Sequence, residues 1–369
     1  MNKLVIIGNG FDLAHGMKTR YSDFLLWGIN EGFKQNSLHI KTPLFDVKSN
    51  YIIRDQNYEP FQFSKIDDFL KFIKEQKGNI TINYSYPFIE YLIGYANMNW
   101  VDIETEYYHE LVNIYSDRNA TNYETKKRLN ELNLSLECIK RELEKYLQIE
   151  SSKELVVSDE IISHFKTIFA VTENSTPHFG DIFGIDRTKF TQNEELLILN
   201  FNYTSTIENY LHRLVNGRTT LINIHGKLGD MNNSLIFGYG DETDENYERI
   251  EKLNDNEYLK HMKSYAYLQT SNYRKLFEFL DKKDEKFEVF VMGHSCGLSD
   301  RLLFTHILEH PNFNSVKIYF YDKPDGTNDF FEKSQDLSRY FRLNAKHKMR
   351  KILIPFNESA PLVKYKSEE

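Results

Sequence analysis

The chain has 369 residues, of which 40% are hydrophobic and 14% aromatic, so it can bury a substantial core and is not a disordered protein. Its formal net charge of -8 disfavours a general duplex-binding surface, because neutralising phosphates requires clustered lysine and arginine, and nucleic acid is not an expected partner. Two cysteines, Cys138 and Cys296, are too few for a disulfide framework or a four-cysteine zinc site within one chain.

The apolar stretches of the chain are short. The N-terminal run at residues 4–7 is much shorter than the core of a signal peptide, and no small-residue cleavage site follows it. No apolar run approaches the roughly 18 residues of a membrane-spanning helix. We therefore expect a soluble protein of the cytoplasm with no membrane partner.

Strands buried on both faces are predicted near both ends of the chain. Four continuous apolar runs are the main candidates: residues 3–7, 196–199, 287–292 and 316–321. Residues 221–224 and 234–237 are shorter candidates. Such runs are typical of strands covered by helices in a parallel sheet, and each main run ends in a small or polar cluster followed by a helical pattern. This order predicts a doubly wound α/β fold.

The middle of the chain is predicted to be helical. Residues 123–148 carry an apolar stripe at steps of three and four, which favours a helix packed on a core. The stripe consists of Leu129, Leu132, Leu136, Ile139, Leu143 and Leu147. Residues 36–60, with scattered proline, aspartate and asparagine, are interpreted as a loop. The sequence therefore predicts an α/β domain in two pieces, residues 1–60 and 171–360, interrupted by a helical insertion at residues 61–170.

A glycine-containing loop follows the first predicted strand. Its candidate binding residues are Gly8, Asn9, Gly10, Phe11, Asp12, His15 and Gly16. Glycines at a turn from strand to helix let the backbone approach a phosphate, which the free N–H groups of a helix start can bind. The spacing G-x-G-x5-G differs from the ordinary dinucleotide fingerprint G-x-G-x-x-G. The loop therefore predicts a nucleotide site, and the alternative is a tight turn that needs glycine for a positive φ.

Three other predicted strands also end in polar clusters. Asn202 offers a donor and an acceptor beyond the strand at 196–199, where a turn or a helix cap is the alternative. His225, followed by Gly226, can act as a general base because its ordinary pKa lies near neutrality. The third cluster is Gly293, His294 and Ser295. Because ligands of open α/β sheets sit outside the carboxyl ends of the strands, these clusters predict one shared cleft.

The order of these motifs resembles the AbiH family of bacteriophage abortive-infection proteins. The glycine loop, the segment Trp100-Val101-Asp102-Ile103-Glu104, His225-Gly226 and the turn at 293–295 carry the resemblance, which covers most of the chain. More remotely, the motifs are similar to the sirtuin-type NAD fold. In sirtuins, a G-A-G-x-S loop ending in a further glycine grips the NAD phosphates, a Q-N-x-D segment holds the nicotinamide ribose, and an H-G histidine is the catalytic base.

The resemblance implies a Rossmann-like, sirtuin-like NAD pocket, and the presence of only two cysteines predicts that this pocket needs no zinc. Gly8, Gly10 and Gly16 match the phosphate loop, Asn202 matches the ribose asparagine, and His225 matches the base. The turn at 293–295 resembles a G-x-S turn that contacts the adenosine side. The chain departs from the pattern at two positions, where Asp12 replaces the serine and Thr204 replaces the aspartate. Without the four-cysteine zinc module, deacylation is disfavoured.

The leading hypothesis is a phage-defence enzyme that cleaves the glycosidic bond of NAD or a related nucleotide. His225 would activate water or a ribose hydroxyl, and Asn202 would orient the substrate. The glycine loop would hold the diphosphate, with Asp12 and His15 near the ribose. The expected partner is the nucleotide, and a phage-encoded trigger and a homo-oligomer are left open.

Two other hypotheses stay open from the sequence. One is a nucleotide-binding sensor without chemistry, which acts through protein contacts and is consistent with the loss of the aspartate at Thr204. The other is a metal-assisted hydrolase that uses Asp12 with Asp102 and Glu104. The metal-assisted hypothesis ranks last, because Asp102 and Glu104 are two positions apart and so do not lie on the same face of a helix.

Overall fold

The computed structural model describes residues 1–35, 37–95, 100–170, 194–213, 219–242, 244–283, 285–341 and 345–365. The strands are β1 (Asn2–Ile7), β2 (His39–Lys41), β3 (Phe45–Ser49), β4 (Ile80–Tyr84), β5 (Leu196–Asn200), β6 (Thr219–Asn223), β7 (Phe287–Met292), β8 (Phe313–Phe320) and β9 (Ala360–Pro361). The helices are α1 (Asn9–Ala14), α2 (Tyr21–Phe33), α3 (Ile66–Glu75), α4 (Pro87–Gly94), α5 (Trp100–Ser116), α6 (Asn122–Ser151), α7 (Asp159–Ala170), α8 (Glu208–Leu211), α9 (Glu245–Glu251), α10 (Lys263–Ala266), α11 (Asn272–Leu280), α12 (Arg301–Leu308), α13 (Phe330–Tyr340) and α14 (Lys346–Ile352).

The described residues fall into two compact units. Unit 1 takes its residues from Met1–Met17, Lys153–Leu235 and Tyr267–Glu369, and unit 2 takes its residues from Lys18–Ser152 and Ile236–Ala266. The sequence predicted domain boundaries at 60/61 and 170/171, whereas the units change after residues 17, 152, 235 and 266. Residues 171–193, at the start of the second predicted piece, lie outside the described residues.

Unit 1 is built on a parallel sheet that has six strands among the described residues. The strand order is β6-β5-β1-β7-β8-β9, and every neighbouring pair is parallel. Counted by their sequence in the chain, these strands follow the order 3-2-1-4-5-6 of doubly wound dinucleotide-binding sheets. The predicted α/β, Rossmann-like fold class is confirmed.

The core of unit 1 explains why its strands could be read from the sequence. Every residue of β1 and β5 is buried, and apart from Asn2, Lys3 and Asn200 these residues are apolar, as expected of strands covered on both faces. Val5 and Ile198 share one buried cluster with Ile161 and Phe165 of α7. The four main runs correspond to β1, β5, β7 and β8, and the run at 221–224 corresponds to β6.

Two secondary-structure predictions were wrong. Residues 234–237 are irregular chain in which Leu235, Ile236 and Phe237 are buried, because an apolar run indicates burial without specifying strand pairing. Residues 36–60 contain β2 and β3, which pair with β4 in an antiparallel sheet of three strands among the described residues of unit 2. The burial of β3 alternates, with Phe45 and Val47 buried, and this period of two was the available signal.

The predicted helix at 123–148 is confirmed as α6 of unit 2. It begins in a capping box, in which the Thr121 Oγ1 accepts from the Glu124 backbone N–H at 3.3 Å and the Glu124 carboxylate accepts from the Thr121 backbone N–H at 2.8 Å. The whole apolar stripe of α6 is buried. Across the described part of the chain, no helix combines the length and apolar character needed to cross a bilayer.

Candidate functional site

Four loops of unit 1 leave the sheet at one edge. They follow β1, β5, β6 and β7, which are parallel and therefore end on the same side. Strand β1 lies between β5 and β7, so the order of the sheet reverses its direction there. In open α/β sheets, ligands bind outside the carboxyl ends of the strands at such a switch point.

The loop after β1 packs directly on the loop after β7. A Cβ atom at Gly8 would lie 2.4 Å from the Cα of His294, and one at Gly10 would lie 2.8 Å from the carbonyl oxygen of Gly293. The Gly8 N–H donates to the Met292 carbonyl at 3.1 Å, and the Gly10 N–H donates to the Gly293 carbonyl at 2.7 Å. Both glycines are thus required for close packing of the two loops, and their phosphate-binding role stays a prediction.

The glycine loop ends in His15 and Gly16, and the His15 side chain makes hydrogen bonds within unit 1. Gly16 has a φ of +73° with open space at its Cβ position, so glycine is favoured there by backbone conformation. His15 contacts the Phe11 carbonyl through Nδ1 at 2.7 Å and the Tyr210 hydroxyl through Nε2. Burial lowers the pKa of His15, while the Phe11 carbonyl opposes that shift. The proposed contact of His15 with a ribose stays a prediction.

Asp12 is a buried carboxylate with one unsatisfied oxygen. Its exposed fraction is 1%, and its Oδ2 accepts a hydrogen bond from the Thr204 hydroxyl at 2.7 Å. Its Oδ1 is buried and has no hydrogen-bond partner among the described residues. Burial raises the pKa of Asp12 to about 6, and the Thr204 hydrogen bond opposes that rise. Asp12 can therefore titrate near neutrality and accept one further hydrogen bond.

Asp12 and Thr204, the two positions at which the sequence departs from the sirtuin-like pattern, contact each other, while the resemblance itself stays a prediction. Their hydrogen bond joins the helix after β1 to the loop after β5 through a hydroxyl and a carboxylate. The Thr206 hydroxyl extends the chain by donating to the Thr204 hydroxyl at 3.2 Å. The carboxylate of Asp12 is thus held by hydroxyls of the loop after β5.

Asn202 ties the loop after β5 to the loop after β1. Its side-chain nitrogen donates to the Gly8 carbonyl at 3.0 Å, and its backbone N–H donates to the Asn200 Oδ1 at 3.1 Å. The Asn200 side-chain nitrogen donates in turn to the Asn223 Oδ1 at 2.9 Å. Because Asn202 is 8% exposed, its amide is positioned by the protein before any ligand binds.

His225 lies beside a carboxylate that it shares with His294. Its Nε2 is 3.1 Å from Oδ1 of Asp300 and 3.1 Å from the Tyr267 hydroxyl. Nε2 of His294 is 3.5 Å from Oδ2 of the same aspartate. His225, Asp300 and His294 are all buried, with exposed fractions of 6%, 7% and 5%. The loops after β6 and β7 therefore meet in a buried cluster of two imidazoles and one carboxylate.

The Phe201 ring links this cluster to the loop after β5. Its centroid is 4.8 Å from that of the His225 ring and 4.4 Å from that of the His294 ring, with edge contacts in both cases. Thus Gly8, Asn202, His225 and His294 are brought together at one edge. Ser295 was predicted to line the same cleft, but its side chain is exposed, whereas Asn202, His225 and His294 are buried.

The acidic partner of His225 was not predicted from the sequence. Asp300 is the residue before α12, but its side chain makes no capping hydrogen bond. It faces two histidines instead. An acidic residue six positions after His294, just beyond a strand end, was the available signal. Tyr267 had no recognisable motif.

The segment Trp100-Val101-Asp102-Ile103-Glu104 begins α5 in unit 2; the side chains of its first two residues lie outside the described residues. Glu104 is 5% exposed, its Oε2 is 2.8 Å from the Lys263 Nζ, and its Oε1 accepts from the Gly238 N–H at 3.2 Å. Among the described residues, no group of three or more His, Cys, Asp and Glu side chains is arranged to hold a metal ion. The observed contacts of Glu104 are those of a buried structural ion pair, so they do not favour the metal-assisted hypothesis.

The comparisons with known proteins agree with the order of motifs. The model of a family described as "Bacteriophage abortive infection AbiH" matches residues 4–322. The match begins within β1 and ends two residues after β8, so it includes all four loops described above. Among the curated proteins, none matches the chain.

Proposed function

The chain belongs to the AbiH family of bacteriophage abortive-infection proteins, and we propose that its unit 1 binds NAD or a related nucleotide and cleaves the glycosidic bond. Family membership assigns the chain a role in abortive infection. The observation that carries the nucleotide proposal is the switch point of the 3-2-1-4-5-6 sheet. The loops there hold the buried imidazole of His225 and the buried Oδ1 of Asp12, which has no hydrogen-bond partner among the described residues.

His225 supplies the base in the proposed reaction. The glycosidic bond breaks through a ribosyl cation of oxocarbenium character, as in other glycoside cleavages. A water molecule attacks the anomeric carbon and gives its proton to the imidazole, while the bonding electrons leave with nicotinamide. NAD and water thus yield ADP-ribose, nicotinamide and one proton, which the imidazole later releases to solvent.

Asp12 supplies a hydrogen-bond acceptor for the substrate. A buried acceptor without a donor is costly, roughly 1–3 kcal/mol, so a ligand that brings a hydroxyl to Oδ1 would remove that cost. The hydroxyls of a ribose have this chemistry. Asn202, held by the Gly8 carbonyl, orients the substrate through the rest of its amide.

A nucleotide sensor without chemistry is the second candidate function. The observation that favours the sensor is that several polar groups of the site already make hydrogen bonds within the protein. The N–H groups of Gly8 and Gly10 and the side-chain nitrogen of Asn202 donate to backbone carbonyls, and His225 is 6% exposed. In this alternative the same edge binds a nucleotide without turnover, and the result of binding is transmitted through protein contacts.

Nicotinamide release and calorimetry test the proposal together. The wild-type chain is assayed by chromatography with NAD, with and without phage lysate, and titrated with NAD, ADP-ribose, ATP and GTP. His225→Ala should lower turnover by roughly 10²- to 10⁴-fold and change NAD affinity only a few-fold. His212→Ala, an exposed histidine of the same unit, is the matched control.

The outcomes separate the candidates. Release of nicotinamide that is lost in His225→Ala and kept in His212→Ala supports the enzyme. Binding of NAD or ADP-ribose with no release under either condition supports the sensor. If neither NAD nor ADP-ribose binds and a guanine nucleotide does, both forms of the NAD proposal are wrong.

A further inference from the structure

We propose that Asp300 is the positioning residue of His225, which favours the tautomer with the proton on Nε2 and so makes Nδ1 the basic nitrogen of the neutral ring. This inference rests on the proposed function, because it assigns the orienting group of the same base. Two observations carry it: the contact of Asp300 with His225, and the second imidazole that fixes the orientation of the same carboxylate.

The contact between Asp300 and His225 determines which nitrogen carries the proton. An ionised carboxylate only accepts hydrogen bonds, so an imidazole nitrogen 3.1 Å from it is favoured in its N–H form. In a neutral imidazole the other nitrogen, Nδ1, is then the basic one. The Tyr267 hydroxyl contacts the same Nε2 at 3.1 Å and so also bears on the orientation of the ring.

His294 holds the carboxylate in place. Its Nδ1 accepts a hydrogen bond from the Cys296 backbone N–H at 2.9 Å, so the proton of the neutral ring is on Nε2. That Nε2 points to Oδ2 of Asp300 at 3.5 Å, while Oδ1 is directed to His225. Each oxygen of the carboxylate thus lies near one of the two histidines, which restricts the orientation of its plane.

The surroundings of the pair favour a strong electrostatic effect. Among the described residues, the titratable side chains that face His225 include Asp300 and Tyr267, and the Tyr203 ring lies at a centroid distance of 6.4 Å. His294 faces it across the shared carboxylate. Because Asp300 is 7% exposed, its charge acts on the imidazolium form of His225 with little screening by solvent. Removing that charge should therefore make His225 harder to protonate.

Nitrogen NMR of the chain with ¹⁵N-labelled histidine measures which ring nitrogen of His225 carries the proton and how the ring titrates. In the wild type we expect His225 in the Nε2–H form at neutral pH. In Asp300→Asn we expect the apparent pKa of His225 to fall by about 1–2 pH units, as removal of an adjacent opposite charge requires. Asp281→Asn is the matched control, because Asp281 contacts Nε2 of His310 at 3.0 Å elsewhere in unit 1. The control should leave the His225 signals unchanged.

The activity of the same variants supplies the second measurement. In Asp300→Asn, kcat for nicotinamide release should fall by roughly 10²- to 10⁴-fold with KM within a few-fold, because the loss of an orienting carboxylate disturbs the tautomer and not the binding. The acid limb of the pH profile should move to lower pH together with the His225 titration. Asp300→Glu, which keeps the charge, should recover part of kcat.

These measurements distinguish failure of the inference from failure of the proposed function. A wild-type chain that releases no nicotinamide contradicts the enzyme, while the NMR titration still decides whether Asp300 sets the state of His225. If wild-type His225 carries its proton on Nδ1, or if it titrates alike in the wild type and in Asp300→Asn, Asp300 is not its positioning residue. The wild-type tautomer is informative even if Asp300→Asn does not fold.

Discussion

Replacing Asp12 by asparagine should remove part of the pH dependence of the free energy of unfolding of unit 1. Burial raises the pKa of Asp12 from 3.8 to about 6, so the folded chain binds this proton more tightly than the unfolded chain does. The contribution of Asp12 to stability is therefore complete below pH 3.8 and is lost as the pH rises through about 6. At about 1.4 kcal/mol per pKa unit, the whole effect is about 3 kcal/mol.

The magnitude to be measured is a difference between two proteins over a pH range. About 2 kcal/mol of the effect falls between pH 4.5 and 7.5, which avoids strongly acidic conditions. Asparagine has no such titration, so the free energy of unfolding of the wild type should fall by about 2 kcal/mol relative to Asp12→Asn as the pH rises. Any constant cost of placing an amide beside Thr204 cancels in this comparison.

The assay must report on unit 1. Both tryptophans, Trp27 and Trp100, belong to unit 2, so fluorescence would follow the wrong part of the chain. Urea unfolding is instead followed by pulsed hydrogen exchange of peptides from β1 and β5. Asp67→Asn, at an exposed position, is the control. A wild-type minus Asp12→Asn difference that stays constant within about 0.5 kcal/mol, or that grows with pH, would refute the reasoning.

Three other predictions concern Asp12, Glu104 and Gly226. If a ribose hydroxyl donates to Asp12, NAD affinity should rise with pH through about 6, because the ionised carboxylate is the better acceptor, and calorimetry at pH 5 and 7.5 should detect this rise. Glu104→Gln should destabilise unit 2 by about 3–5 kcal/mol in fluorescence-monitored urea unfolding, since it removes the negative charge 2.8 Å from the buried Lys263 ammonium. An unchanged midpoint would contradict this. Gly226→Ala should lower the free energy of unfolding, measured by pulsed exchange, by roughly 3 kcal/mol, because φ is +89° and the new Cβ would lie 2.3 Å from a backbone oxygen. Gly229→Ala, where φ is +73° and the space is open, should lower it by only about 1–2 kcal/mol. Equal losses in the two variants would disprove the steric contribution at Gly226.

Local patterns were sufficient where one element alone decided the outcome. The runs that correspond to β1, β5 and β7 could be predicted because strands covered on both faces consist mainly of apolar residues. The helix α6 could be read because its buried stripe repeats with the helical period. Antiparallel β2 and β3 were missed, since these short strands lie among proline, aspartate and asparagine residues that indicate a loop.

The sequence by itself determined that polar, glycine-bearing loops end several buried strands of an α/β protein, because those features depend on residues close together in the chain. Only the tertiary structure decided which of these residues meet. Asp12 and Thr204 are 192 positions apart, and their hydrogen bond exists because β1 and β5 are neighbours in the sheet. The contact of His225 with Asp300 likewise depends on how the loops after β6 and β7 fold over the sheet edge. Contacts of this kind depend on strand order, which is set by the packing of the whole unit and not by any local pattern.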